Sequence, residues 1–389
     1  MNLIKRRLNY IKKIICLYIS MLFKKDENLF VFGSWFGDKF ADNAKYLYLY
    51  FLKNKMNAVW ITKNPDVYKQ LVNENMPVAM AYSKEGRNYC RRAKYIFVCT
   101  GKNDLNENWI GGSICIDLQH GVPLKKVMYD DEVNKILFTK SNKIHAIITK
   151  IPLGKYYAVS SSETLTNIFM SALRVRKDQI LQFGLPRNDG FFDGSLSKKK
   201  YSDIPYSKLI AYMPTHRNTG KTKIDIESLF DLEKLNQFCV EKDILFVIKK
   251  HFYHNAEVTD VSDFSNIIDL TGQQVDTQEL LYNTDILISD YSGVFIDYIL
   301  LDRPILFYAY DYDHYLANDR NLYFKYEDTA PGFIVSNFDE FYGRLGEIVE
   351  GGYKVLDKHF LVKNVFFDKE NQGIVSQKYL DFVRECNRQ

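Results

Sequence analysis

A chain of 389 residues, 46% hydrophobic and 26% charged, is long enough for two ordinary domains and has the composition of a folded core. Its formal net charge of +4, without a basic tail or zinc-finger spacing, gives no footing for nucleic-acid binding and suits an anionic small substrate or an acidic membrane surface. Six cysteines without a CxxC pair argue for free thiols in a reducing compartment rather than a disulfide framework.

Residues 1–25, MNLIKRRLNYIKKIICLYISMLFKK, hold seven Lys or Arg and no acidic residue. The apolar piece 14–23 is too short to span a bilayer as a helix, and no small-residue cleavage site marks a signal peptide. Two readings stay open. One is an interfacial amphipathic helix on acidic lipid. The other is a first helix packed on the protein with its charges in water.

Short apolar runs then alternate with helical stretches. Strands are predicted at 28–32 (NLFVF), 58–64, 94–100, 113–118 and 146–150, with a helix over about 43–53 and another in SSETLTNIFMSAL. A second series has strands at 209–214, 243–251, 286–292 and 303–311, then a last strand and helix in FIVSNFDEFYGRLGEIV. This rhythm predicts an α/β protein with parallel sheets, because parallel strands need crossover helices. The stretch 184–205, with LPRNDG, DGS and a KKK run, is the best domain boundary. The expected organisation is a basic helix at 1–25, an N-terminal lobe at 26–188, a C-terminal lobe at 189–365, and a helix at 366–389 packing back on the N-terminal lobe. Ligand-binding turns are expected at the carboxyl ends of the strands.

Five such turns carry candidate chemistry. IDLQHGVPLKK ends a strand with Asp117, Gln119, His120 and Gly121. A histidine exchanges a proton near neutral pH, so His120 suits a general base, though a hydrogen-bonded turn histidine is the plainer reading. Lys125 and Lys126 suit either phosphate or solvent. MPTHRNTGK presents Thr215, His216 and Arg217; an arginine fork can grip two phosphoryl oxygens, while the P-loop pattern is absent. KKHFYHN offers His251 and His254 without a convincing third metal ligand. In SDYSGVFIDYILLDRP a helix is expected to start near Tyr291–Ser292, so Ser292 either meets an anion or caps the helix. Asp290 there suits a hydroxyl or a cation, which leaves a Mg²⁺ ion open. DHYLANDRNLYFKYEDTAPG sets Arg320 beside aromatics, as a diphosphate clamp or a surface ion pair.

Taken in order, FGSWFGDKFADNAKYLYLYFL, IDLQHGVPLKK, YMPTHR, ILISDYSGVFIDYILLDRPILFY and DRNLYFKYEDTAPG resemble the CDP-glycerol glycerophosphotransferases of teichoic-acid and capsule synthesis, over roughly residues 28–345. The resemblance implies a GT-B-like fold, two Rossmann-like lobes facing across a cleft. It implies transfer of glycerol phosphate from CDP-glycerol to an acceptor hydroxyl with release of CMP, and no required cofactor. It makes His120 the base and His251 a second catalytic histidine. Thr215, Arg217, Ser289, Asp290, Tyr291, Ser292 and Arg320 become donor- or phosphate-binding, and Gln119, Gly121, Lys125, Lys126, Asp42 and Asn43 acceptor-side candidates. The sequence departs from the family pattern at Gly293, His216 and Asn321, which weakens the donor assignment. The expected acceptor is a lipid-linked glycan or an anionic polyol-phosphate chain, reached peripherally at the cytoplasmic face of the membrane. Alternatives are a CDP-ribitol-dependent enzyme, a nucleotide-sugar GT-B glycosyltransferase, and a noncatalytic polyanion- or membrane-binding protein.

Overall fold

The computed structural model describes residues 3–131, 154–215, 217, 224–250, 258–318 and 321–388. The strand expected at 146–150, and His216, His251, His254 and Arg320, lie outside the described residues.

The chain divides into two compact units: Met1–His120 with Met128–Asp189 and Phe367–Gln389, and Gly121–Val127 with Gly190–Phe366. The first unit is built on a seven-stranded sheet: β1 Asp26–Phe32, β2 Asn57–Thr62, β3 Val78–Met80, β4 Ala93–Val98, β5 Ile114–Asp117, β6 Lys155–Val159 and β7 Ile180–Leu181. Its order is β3-β2-β1-β4-β5-β6-β7, and every pair is parallel. The second unit has β8 Lys208–Tyr212, β9 Ile244–Ile248, β10 Ile267–Asp269, β11 Ile286–Ser289, β12 Ile305–Tyr308 and β13 Phe333–Val335, ordered β10-β9-β8-β11-β12-β13 and also parallel.

Both sheets are covered on two faces, as parallel sheets require. That is why β9, β11 and β12 are buried along their whole length and read as continuous apolar runs. The core of the first unit gathers Leu29, Val31, Val59, Ile61, Ile96 and Val98; that of the second gathers Ile210, Phe246, Ile248, Ile286, Ile288 and Leu306. Several helices start on a side-chain cap: Asn64, Ser83, Ser162, Asp231, Asp276 and Asn337 each accept a backbone N–H of the first turn. The strands β3, β7 and β10, of three, two and three residues, are too short to show as apolar runs in the sequence.

Each sheet reverses its strand order once, between β1 and β4 in the first and between β8 and β11 in the second. Open α/β sheets bind ligands outside the carboxyl ends of strands at such points. The two-lobed α/β expectation is met. The helix expected to start near Tyr291–Ser292 begins instead at Val294, after Gly293, and passes into a 3-10 turn at Ile299–Leu301. Contacts of Ser289 and Asp290 with the end of β8 hold the chain out of helical geometry until then.

Candidate active site

In the first unit the turn after β5 is held from several sides. Leu118 N–H donates to Val98 O at 2.7 Å, extending the sheet. Gln119 then takes a left-handed φ of 58°, a conformation uncommon outside glycine. Asp117 fixes it: its Oδ1 accepts Gln119 N–H at 3.2 Å, and its Oδ2 accepts the Tyr156 hydroxyl at 3.0 Å. Burial pushes the Asp117 carboxyl up to about 7, against the pull of those two donors.

Asn43 Nδ2 donates to Gln119 O at 2.8 Å and to Leu118 O at 3.2 Å, while Asn43 Oδ1 accepts Arg187 N–H at 3.2 Å. Arg187 Nη1 donates to His120 O at 2.9 Å and pairs with Asp42 Oδ1 at 2.6 Å. His120 therefore has a fixed backbone and an exposed side chain, whose ring stands edge-on to Trp35 with centroids 5.7 Å apart. Asn43 is fully buried and its amide is spent on holding the backbone just before His120. Asp42, with a side chain 5% exposed, is likewise taken by Arg187.

Trp35 and Phe36 form a second turn, after β1, with φ values of 48° and 60°. Such backbone costs on the order of 1–3 kcal/mol per residue and persists only where the surroundings over-determine it. Here Asp104, fully buried, supplies the constraint. Its carboxylate accepts Phe36 N–H at 2.7 Å, Cys99 N–H at 2.7 Å, Thr100 N–H at 2.8 Å and the Thr100 hydroxyl. Burial raises its carboxyl above the usual carboxylate range, and those donors oppose the rise.

The residues just past His120 belong to the second unit. Gly121 opens a segment that pairs antiparallel with 321–323: Lys126 N–H donates to Asn321 O at 2.7 Å, and Tyr323 N–H to Leu124 O at 2.8 Å. Lys125 lies over the Tyr315 ring with its Nζ 4.8 Å from the centroid.

The turns after β8 and β11 meet through charge. Asp290, fully buried, accepts Thr215 N–H at 2.8 Å and pairs with Arg217 Nη1 at 2.8 Å. Arg217 also grips Asp311 with both prongs, Nε–Oδ2 2.6 Å and Nη2–Oδ1 3.0 Å, and donates to Thr215 O at 2.6 Å. The rings of Tyr291, Tyr310 and Tyr315 surround its guanidinium at 5.1, 5.2 and 5.3 Å. Burial works against the Arg217 charge, but Asp290 and Asp311 outweigh it and hold the group above the ordinary arginine range.

Arg217 neutralises two carboxylates instead of offering a free fork, and Asp290 is consumed by Arg217 instead of facing a hydroxyl or cation. Ser289 is buried and donates to Met213 O at 3.1 Å, and Tyr291 is buried against Tyr315, centroids 4.0 Å apart. Ser292 remains half-buried at the foot of the following helix, its Oγ accepting Val294 N–H at 3.4 Å. The Thr215 hydroxyl is buried and has no hydrogen-bond partner among the described residues. Among the described residues no group of three His, Cys, Asp or Glu side chains is arranged to hold a metal ion.

Sequence reasoning passed over Arg187, Trp35, Asp104 and Asp311. Arg187 sits in LPRNDG, which reads as a linker, and Asp104 in a polar loop with no motif. The clearest missed signal is Asp311, an acid closing the apolar run RPILFYAYD.

Comparison with known proteins agrees with this architecture. A model of the family described as CDP-Glycerol:Poly(glycerophosphate) glycerophosphotransferase matches residues 15–385. The chain is 30% identical to a teichoic acid glycerol-phosphate transferase of Staphylococcus aureus, over 93% of this chain and 94% of that protein. It is 29% identical to a teichoic acid poly(glycerol phosphate) polymerase of Staphylococcus epidermidis, over 91% of this chain and 50% of that longer protein. A solved structure of the wall teichoic acid polymerase TagF, a variant soaked with CDPG, superposes with a TM-score of 0.75 at 26% identity, covering 98% of this chain and 97% of that one. The two parallel-sheet lobes of this chain, flanked by helices, match that structure and are the GT-B-like architecture expected from sequence. With the match spanning nearly all of its length, the chain belongs to the CDP-glycerol:poly(glycerophosphate) glycerophosphotransferase family.

Proposed function

We propose that His120 is the general base of this CDP-glycerol-dependent glycerophosphotransferase. Its neutral imidazole takes the proton from an acceptor hydroxyl. The freed oxygen forms a bond to the glycerol-bearing phosphorus of CDP-glycerol, and the bond from that phosphorus to CMP breaks. The observation that carries this reading is the contrast at His120: an exposed ring on a backbone held through Arg187, Asn43 and Asp117. A base fixed in this way spends little freedom on reaching its proton.

On the donor side, the partnerless Thr215 hydroxyl and the half-buried Ser292 are the groups proposed to meet phosphate. His251 and Arg320 are proposed, on the family resemblance, to balance its charge. Arg217, Asp290, Ser289 and Tyr291 are proposed to shape the donor turn from beneath. Asp290, the carboxylate that left a Mg²⁺ ion open, is occupied by Arg217. The acceptor is proposed to be a hydroxyl of a lipid-linked glycan or of a growing polyol-phosphate chain.

A peripheral position at the cytoplasmic face of the membrane fits the first helix, Leu3–Ser20. It docks through Leu17 and Ser20, whose Oγ accepts Gly111 N–H at 2.7 Å. Ile11, Ile15, Tyr18, Ile19 and Leu22 stay exposed. No helix among the described residues is long and apolar enough to cross a membrane.

The test is acceptor-dependent CMP release from CDP-glycerol. His120→Ala is expected to lower it by roughly 10²–10⁴-fold with CDP-glycerol affinity and melting temperature retained. Unchanged turnover removes His120 as the base. CMP release with CDP-ribitol alone, or nucleoside diphosphate release from a nucleotide sugar, would instead select one of the other donors.

A further inference from the structure

The carboxyl ends of β1 and β4 flank the point where the first sheet reverses its strand order. Two features stand there and remain unassigned: the left-handed Trp35–Phe36 pair, and the buried Asp104 whose carboxylate fixes it. Asp104 also satisfies the Cys99 and Thr100 N–H groups at the end of β4, a duty that does not require an aromatic ring to face solvent. Phe36 is 51% exposed, so its ring is held out by a strained backbone rather than drawn into the core. The next residue is clamped as well: Gly37 O accepts Lys63 N–H at 2.7 Å and the Thr62 hydroxyl at 2.8 Å. Strain that the surroundings over-determine, with an aromatic presented to solvent at a switch point, marks a ligand-facing turn.

The turn also lies beside the proposed base, since Trp35 meets the His120 ring edge-on at 5.7 Å. A hydroxyl within hydrogen-bond reach of His120 brings the carbons that bear it into the neighbourhood of Trp35. An aromatic face carries negative charge and an aromatic edge positive, so a face attracts C–H groups and repels a phosphate anion. We propose that the Trp35–Phe36 turn is an acceptor subsite, whose rings pack on the C–H face of the polyhydroxylated terminus that His120 activates. The inference rests on the reading of His120 as the base and adds what the acceptor must present: hydroxylated carbons, with the nearest phosphate further off. Such a terminus has two sources, a sugar ending a lipid-linked glycan and a glycerol ending a polymer.

The experiment measures binding by the full chain without donor, so it does not depend on turnover. The two probes are an alkyl-linked disaccharide and a trimer of glycerol phosphate. Phe36→Ala is expected to weaken binding of at least one probe by about tenfold, the scale of one aromatic contact, with Phe36→Tyr restoring it. CDP-glycerol affinity and melting temperature are expected to stay as in the parent protein. Loss confined to the disaccharide assigns the sugar terminus, and loss confined to the trimer assigns the glycerol terminus. Unchanged affinity for both probes, no binding of either by the parent protein, or a parallel loss of CDP-glycerol affinity overturns the proposal. Trp35→Leu, which removes a ring, provides a second variant should Phe36→Ala fail to fold, with a comparable loss of probe affinity expected and unchanged affinity counting against the subsite. His120→Asn is expected to bind the probes in this assay and, in a separate assay with CDP-glycerol added, to fail to transfer. Should it still transfer, the base assignment fails while the Phe36 result stands on its own.

Discussion

Asp117 links the chemistry of one residue to a measurable pH dependence. It closes β5, accepts the Gln119 N–H and the Tyr156 hydroxyl, and so shapes the turn that presents His120. Burial pushes its carboxyl up to about 7, with the buried Asp104 carboxylate adding a smaller upward push. The folded state thus prefers the protonated form. Below the unfolded-state value of about 4 the carboxyl is protonated in both states, and its full contribution to stability is present. As pH rises from about 4 to about 7 the unfolded chain ionises first, and that contribution is lost; above 7 the difference is constant. Asp117→Asn keeps an oxygen for the Gln119 N–H and removes the titration. The melting temperature of the parent protein minus that of Asp117→Asn is expected to fall between pH 4 and 7 and then level off. A difference that stays flat across that window would refute the raised carboxyl. From QHG alone His120 reads more plainly as a turn histidine, and the family resemblance is what singles it out. The supports of its backbone are not legible there, because Asn43 reaches Gln119 from 76 residues away and Arg187 reaches His120 from 67.

At the scale of elements, the turns after β8 and β11 show how a motif can be found while the partners of its side chains stay hidden. THR and SDYS stand out because polar residues close apolar strands, and Thr215, Arg217 and SDYS do follow the ends of β8 and β11 in the second unit. Sequence cannot tell an arginine that reaches out from one that is buried, because that depends on partners elsewhere. Arg217 finds Asp311, 94 residues on, together with Asp290 and three tyrosine rings. The cluster then acts as architecture for the turn that ends in Ser292. Arg217→Met leaves two carboxylates in a buried site without their cation, which costs about 3–5 kcal/mol when one partner of a buried pair is removed. That is a large share of a stability of roughly 5–15 kcal/mol, so a pronounced drop in melting temperature is expected. Adding Asp290→Asn to Arg217→Met removes one stranded charge and should recover part of the loss, since the two side chains are in contact. If Arg217 were instead an open phosphate fork, Arg217→Met would keep its melting temperature and lose CDP-glycerol affinity. Thermal melts and donor titrations on the same samples separate the two roles.

For the whole molecule, the organisation is carried by a few chain crossings. The polar, turn-rich stretch 184–205 contains one of them, at Asp189–Gly190. The passage of Gly121–Val127 into the second unit left no trace in composition, because its antiparallel pairing with 321–323 is set by tertiary register. The first helix is a mixed case. Its apolar positions 11, 15, 18, 19 and 22 recur at helical spacing in the sequence, but two equally simple readings put that stripe on protein or on lipid. Docking uses Leu17 and Ser20 against Gly111, a glycine where any Cβ would collide with Leu17 O. Ile11 and Ile15 remain 53% and 52% exposed on a helix whose flanking residues are rich in lysine and arginine. An apolar face with cationic flanks binds an interface by burying the former and pairing the latter with anionic headgroups. Ile11→Asp with Ile15→Asp is therefore expected to reduce co-sedimentation with phosphatidylglycerol-containing vesicles by at least about tenfold, each buried isoleucine being worth roughly 1.5–3 kcal/mol. Because neither side chain supports the docking contacts, transfer to a soluble acceptor should be retained. Raised salt should weaken binding of the parent protein further, since screening acts on the cationic flanks. Equal sedimentation of the parent and doubly substituted proteins would show that the exposed stripe does not meet lipid.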